Sequence, residues 1–177
     1  MKIIIRAVLL ASLLMPSLYA LHINAVKDLL RAGHRIVEEV SPLELRTMVE
    51  NDEDFILVDI REPDQVQRGE IFHFDLHKIT RGYLEFKIEP IVPDNKTPIV
   101  VYCCTGKRSI LAAQQLKQMG YQNVRSLQGG IQHWVETGLP LFTAYGEMIM
   151  MPMEYDAESA YRENTKDETK EETKKSK

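Results

Sequence analysis

Two cysteines stand side by side, Cys103 and Cys104, at the end of the apolar run Pro98–Tyr102 and directly ahead of Thr105-Gly106-Lys107-Arg108. A bridge between adjacent cysteines needs a strained ring and a distorted peptide, so a structural disulfide is a poor account of the pair. Reactivity is the better one. A continuous apolar run of this length reads as a strand of a parallel sheet, and functional groups gather at the carboxyl ends of such strands. Gly106 then permits a tight curl into a helix expected from about Ser109 to Met119. Backbone N–H groups can converge there on an anion, the helix adds its positive end, and Lys107 and Arg108 add full charges. All of these favour thiolate over thiol at Cys103, which makes it a candidate nucleophile.

Val101-Tyr102-Cys103-Cys104-Thr105-Gly106-Lys107-Arg108-Ser109 resembles the active-site loop of the rhodanese family. Two further stretches carry the same resemblance. Leu57-Val58-Asp59-Ile60-Arg61-Glu62-Pro63 with Gly69-Glu70-Ile71 is similar to the family's first signature. Gly120-Tyr121, Leu127-Gln128-Gly129-Gly130-Ile131, Trp134 and Gly138-Leu139-Pro140 are similar to its closing one. The resemblance covers about residues 36–141 and implies a three-layer α/β/α sandwich with a mostly parallel central sheet.

It also implies a two-step sulfur transfer. The Cys103 thiolate takes the outer sulfur of a donor such as thiosulfate or polysulfide, and passes it as a persulfide to a thiol or protein acceptor. Cys104, Thr105, Gly106, Lys107 and Arg108 become the candidate substrate-binding set, with amides cradling the anion and Lys107 and Arg108 attracting it. Asp59 and Arg61 become supporting residues, either a link that fixes the loop or a direct substrate contact.

Three departures stand out. Glu70 replaces the usual His between Gly69 and Ile71, residues 72–91 follow the family's pattern loosely, and Cys104 is uncommon as the second loop residue. It either points away from the chemistry or acts as a resolving thiol.

Rival functions divide on the loop. Phosphatases and arsenate reductases of the same fold place five residues between Cys and Arg, whereas Cys103 and Arg108 are separated by four. The shorter cradle suits a sulfur atom better than a tetrahedral phosphate. A sulfur carrier or binding module with protein partners and little thiosulfate turnover stays open as the alternative enzyme-free role.

The elements that must position this loop alternate between strand and helix, which by itself means an α/β sandwich with a mostly parallel sheet. Residues 21–35 read as a leading helix on the domain's outside, and Ile36–Val40 as a strand. Ser41-Pro42-Leu43-Glu44 is a capping box with Pro at the first helical position, opening a helix through Val49. Phe55–Val58 is a buried strand ending at Asp59, and Glu62–Arg68 a short helix stopped by Gly69. Arg81–Ile88 reads as one helix, with Pro90, Pro93 and Pro98 marking turns. Val124–Leu127 is the last strand, Gly129-Gly130 a tight turn, Ile131–Glu136 the last helix, and Trp134 and Tyr121 are core residues.

At the N-terminus, Lys2 and Arg6 precede the apolar run Ala7–Met15, and Ala20 ends a segment with a plausible cleavage point; residues 1–20 read as a secretory signal. An exported, extracytoplasmic protein is therefore expected, with no stable membrane insertion after cleavage and as a monomer. Residues 142–162 form a Met-rich extension and residues 163–177 a charged tail too poor in apolar groups to fold. The net charge of -4 and the lack of a basic patch argue against nucleic acid as a partner. No cofactor is implied. Among the five histidines only His73 and His77 share a spacing that could hold a metal, and no third ligand completes the set. A copper site built from Met148, Met150, Met151 and Met153 is a weaker account than packing of a flexible chain end.

Overall fold

The structure, a computed structural model, describes residues 25–150. Helix α1 spans residues 25–36. There follow β1 (Glu38–Val40), α2 (Pro42–Glu50), β2 (Ile56–Asp59), α3 (Pro63–Val66), β3 (Leu76–Lys78), a 3-10 turn (Arg81–Tyr83), α4 (Leu84–Ile91) and β4 (Ile99–Tyr102). The chain closes with α5 (Lys107–Gln118), β5 (Val124–Leu127), α6 (Gly130–Glu136), β6 (Leu141–Thr143) and β7 (Gly146–Met148). The first five strands form one sheet in the order β1-β5-β4-β2-β3, every neighbouring pair parallel. The sequence-based expectation of a mostly parallel α/β/α sandwich is met.

Side-chain alternation along the central strands builds the three layers. Ile56, Val58, Ile99, Val101 and Val124 face a core closed by Leu84 and Ile88 of α4 and Ile110, Ala113 and Leu116 of α5. Leu57, Val100, Tyr102 and Leu127 face the other way, onto Leu45 and Met48 of α2 and Ile131 and Trp134 of α6. Both central strands are buried on both faces, which is why they read as unbroken apolar runs. Cys103 continues the parity of Val101 and belongs to the core on the α5 side. Trp134 and Tyr121 are buried as expected, the indole N–H donating to the Pro140 carbonyl (2.8 Å) and the phenol to that of Val92 (2.9 Å).

Local signals set several boundaries correctly. Ser41 caps α2 by accepting the Glu44 N–H at 3.2 Å, with Pro42 in the first turn. Elsewhere the structure differs from the sequence-based expectations. Ile36 ends α1 instead of opening β1. Helix α5 starts at Lys107, two residues before the expected Ser109, because the left-handed Gly106 serves as its cap. Between Ile71 and Pro93 a third strand, β3, was not foreseen. Its three residues at the sheet's edge include His77 and Lys78 and carry no alternating apolar pattern. Helix α4 continues to Ile91 and holds Pro90 inside its last turn, where the missing N–H costs a single ladder bond. After Pro140 the chain forms an antiparallel hairpin, β6–β7, inside the stretch read as extension. The expected signal segment, the sulfur-rich Met151 and Met153, and the charged tail lie outside the described residues. Among the described residues no helix is long and apolar enough to cross a membrane.

Candidate active site

Cys103 follows β4 directly and is fully buried. Its carbonyl accepts the N–H of Ile131 at 2.9 Å, and the Cys104 carbonyl accepts that of Gln132 at 3.0 Å. All peptides in the described chain are trans, so an N–H points opposite to the carbonyl of the same peptide plane. Anchoring both carbonyls on α6 therefore turns the Cys104 and Thr105 amides to the other side of the loop. Among the described residues, the N–H groups from Cys104 to Ser109 donate to no protein acceptor. Together with the start of the twelve-residue helix α5 they make a run of unpaired donors directly after Cys103, backbone of the kind that binds an anion.

Gly106 (φ 79°) makes the curl possible, and Gly129-Gly130 lets the loop lie directly on the start of α6. Under Cys103, Ser109 donates to the Gly106 carbonyl (2.9 Å) and accepts from Ser126 (2.8 Å), and the Cys103 thiol faces the Ser109 hydroxyl at 3.7 Å. Ser109 and Ser126 were not singled out from the sequence. Their signal was faint: a hydroxyl one turn into the helix and another on an otherwise apolar strand.

The remaining loop residues diverge from Cys103. Thr105 and Lys107 are exposed. Arg108 turns its guanidinium to Gln65 Oε1 (2.8 Å) and to Cys104 Sγ (3.3 Å), with Glu62 at 4.0 Å. The Cys104 thiol in turn faces Gln65 Oε1 at 3.4 Å. Gln65 is thus the hinge between α3 and the loop, and it too was missed; the Glu62-to-Gln65 capping box that holds it is its only local trace. Cys104, Gln65, Arg61 and Arg68 border a cleft of about 550 Å³ that is also lined by the apolar Ile131, Val135, Leu141 and Met150 and by Asp64, Gln132 and Glu136.

Asp59 and Arg61 form a buried ion pair, with Arg61 Nη2 at 2.7 Å from Asp59 Oδ2 and Nε at 3.0 Å from both carboxylate oxygens. Arg61 also donates to the carbonyls of Gln65 (3.2 Å) and Gly69 (2.8 Å) and lies over the Tyr102 ring. Burial works against the charge of Arg61, but the Asp59 carboxylate outweighs it and raises the guanidinium pKa. The pair ties α3 and its exit to the sheet on the Tyr102 side, while Cys103 faces α5 and Arg61 also borders the cleft beside Cys104. Burial likewise pushes the Tyr102 phenol well above its ordinary value. At the departure noted at Glu70, the backbone pairs with Phe142 of the hairpin and the side chain pairs with Lys78, so β6 walls this edge. His77 pairs with Asp75, and His73 stacks between Phe55 and Phe74, so the two histidines share no common centre.

Residues 41–137 match the model of the rhodanese-like domain. The chain belongs to the rhodanese-like family. A sulfurtransferase of Allochromatium vinosum is 33% identical over 111 residues, covering 63% of this chain and 100% of the relative. The thiosulfate sulfurtransferase GlpE of Glaesserella parasuis is 31% identical over 110 residues, 60% of this chain and 94% of the relative. Among solved structures, a Rhodopseudomonas palustris protein of unknown function, described as a possible tyrosine phosphatase, matches with a TM-score of 0.60 and 30% identity over 66% of this chain and 92% of that one. The polysulfide-sulfur transferase homodimer of Wolinella succinogenes, 24% identical with a TM-score of 0.59 over 75% and 93% of the two chains, shares the fold. The general activity of this rhodanese-like chain is sulfur transfer.

Proposed function

We propose that Cys103 is the sulfur carrier of an exported rhodanese-like sulfurtransferase acting on small anionic donors. The Cys103 thiolate attacks the outer sulfur of thiosulfate, the S–S bond breaks with its electron pair leaving on sulfite, and a Cys103 persulfide remains. An acceptor thiolate then attacks the outer sulfur and regenerates the Cys103 thiolate. The observation that carries this reading is the run of unpaired amides from Cys104 to Ser109 directly after a cysteine at a strand's end. It stabilises an anionic terminal sulfur and the charge that develops during transfer. Lys107 attracts the donor, and Arg108 supports it from the Cys104 side. Asp59 and Arg61 hold the neighbouring wall.

A phosphatase reading is disfavoured by the four-residue spacing and by Arg108, which engages Gln65 and Cys104. Export is supported by the N-terminal sequence alone. N-terminal sequencing of protein recovered outside the cytosol should begin after Ala20, and recovery only from the cytosol overturns that part.

The chemistry is tested by peptide mapping after thiosulfate exposure and by thiocyanate formation with cyanide as acceptor. An added sulfur on Cys103, and loss of thiocyanate formation in Cys103→Ser, are expected. A Cys103 that stays unmodified in the wild type overturns the reading.

A further inference from the structure

The two cysteines occupy different environments. Cys103 is fully buried, whereas Cys104 is half-buried and borders the cleft of about 550 Å³. The Cys104 sulfur accepts a hydrogen bond from the Arg108 guanidinium at 3.3 Å, so a cation already stands where an anionic sulfur would need one. The same cleft is lined by the apolar side chains of Ile131, Val135, Leu141 and Met150, by the cations Arg61 and Arg68, and by the carboxylates Asp64 and Glu136. A polysulfide anion matches the apolar and cationic parts of this lining: it is soft and apolar along its middle and charged at its ends.

We propose that the cleft binds inorganic polysulfide and that Cys104 is a second sulfur-loading thiol, served from solution independently of Cys103. The proposal rests on the sulfur-transfer reading above and adds a second carrier to it. The Cys104 thiolate attacks an outer sulfur of the chain, one S–S bond breaks, the shortened polysulfide leaves with the electron pair, and a Cys104 persulfide forms beside Arg108. Exchange between the two cysteines of one chain is opposed by geometry. The attacking and leaving sulfurs must lie in line through the transferred one, which strains the nine-membered ring that joins adjacent residues. Their side chains also diverge, Cys103 toward Ser109 and Cys104 toward Gln65.

The test is site-resolved peptide mapping of the full chain after brief exposure to inorganic tetrasulfide, in the wild type and in Cys103→Ser. Added sulfur on both cysteines of the wild type, and on Cys104 in the variant, is expected. The rate in Cys103→Ser should exceed that of an unstructured peptide of the same loop sequence with the same serine. Adding Arg108→Gln should slow it about tenfold, the effect of losing one charge-assisted hydrogen bond. Thiosulfate, which has no apolar stretch, should load Cys104 more slowly than tetrasulfide. Sulfur on Cys103 with a bare Cys104, a rate no higher than the peptide's, or equal rates with the two donors each overturn the proposal and leave the Cys103 reading standing. If both cysteines stay bare, the Cys103 reading fails as well.

Discussion

A methyl group built on the α-carbon of Gly130 would lie 2.5 Å from the carbonyl oxygen of Cys103. That oxygen accepts the Ile131 N–H, and the same imagined methyl meets the Gly106 nitrogen at 2.7 Å. Each of these atoms is backbone and can yield only if the loop itself moves. Gly130 also has φ +63°, in the region that side chains avoid. Gly130→Ala should therefore destabilise the fold by roughly 2–4 kcal/mol through overpacking and strain combined, and displace the cradle. Gly138 has a similar φ of +77° with open space around it, so Gly138→Ala should cost only about 1–2 kcal/mol and leave sulfur transfer intact. Urea unfolding and thiocyanate formation on both variants check this; equal losses would show that crowding at Cys103 is not what Gly130 relieves.

The buried pair of Asp59 and Arg61 gives a second expectation. Arg61→Ala leaves the fully buried Asp59 carboxylate without its partner and frees the Gln65 and Gly69 carbonyls, a loss of about 3–5 kcal/mol. Replacing both together, Asp59→Leu with Arg61→Met, should recover much of that stability, since no buried charge is then stranded. If the double variant is no more stable than Arg61→Ala in urea unfolding, the link to the Gln65 and Gly69 carbonyls outweighs the ion pair.

The loop around Cys103 was legible in the sequence because its determinants are contiguous: a strand that must be buried on both faces, a glycine for the curl, and a helix start. The sheet order's central strands were legible for the same reason. What could not be read lies in pairings between distant segments. Strand β3 is held by its backbone partners in β2, and β6 by a bridge to Glu70, with little in their own side chains to announce them. The Gln65 contact with Arg108 joins residues 43 apart, so the partition of Cys103 and Cys104 between two environments has no local signature.

His73 makes stability depend on pH. Burial between Phe55 and Phe74 lowers its pKa below 6.5, against the opposite pull of Asp75, and its Nδ1 accepts the Asp75 N–H at 3.3 Å. As pH falls below 6.5 the unfolded chain takes up a proton that the folded one refuses, so stability drops through the window between 6.5 and the lowered folded value. Above that window the contribution is constant. The urea midpoint should fall on acidification through this range, and His73→Phe should remove part of that slope. An unchanged slope in the variant would mean that other groups account for the acid sensitivity.

Lys107 is exposed at the loop, whereas the charge of Arg108 is engaged by Gln65, Cys104 and, at 4.0 Å, Glu62. Lys107 is then the cation best placed to draw an anionic donor toward Cys103 from a distance. Steering of this kind raises the encounter rate without changing the chemistry that follows. Lys107→Gln should lower the second-order rate of Cys103 loading by thiosulfate by roughly 2–5-fold at low ionic strength. The difference should close near 1 M salt, where the screening length shrinks to about 3 Å. A neutral sulfane donor should load wild type and variant alike at every salt concentration. A deficit that persists in high salt, or with the neutral donor, would instead mean that Lys107 acts on the bound sulfur.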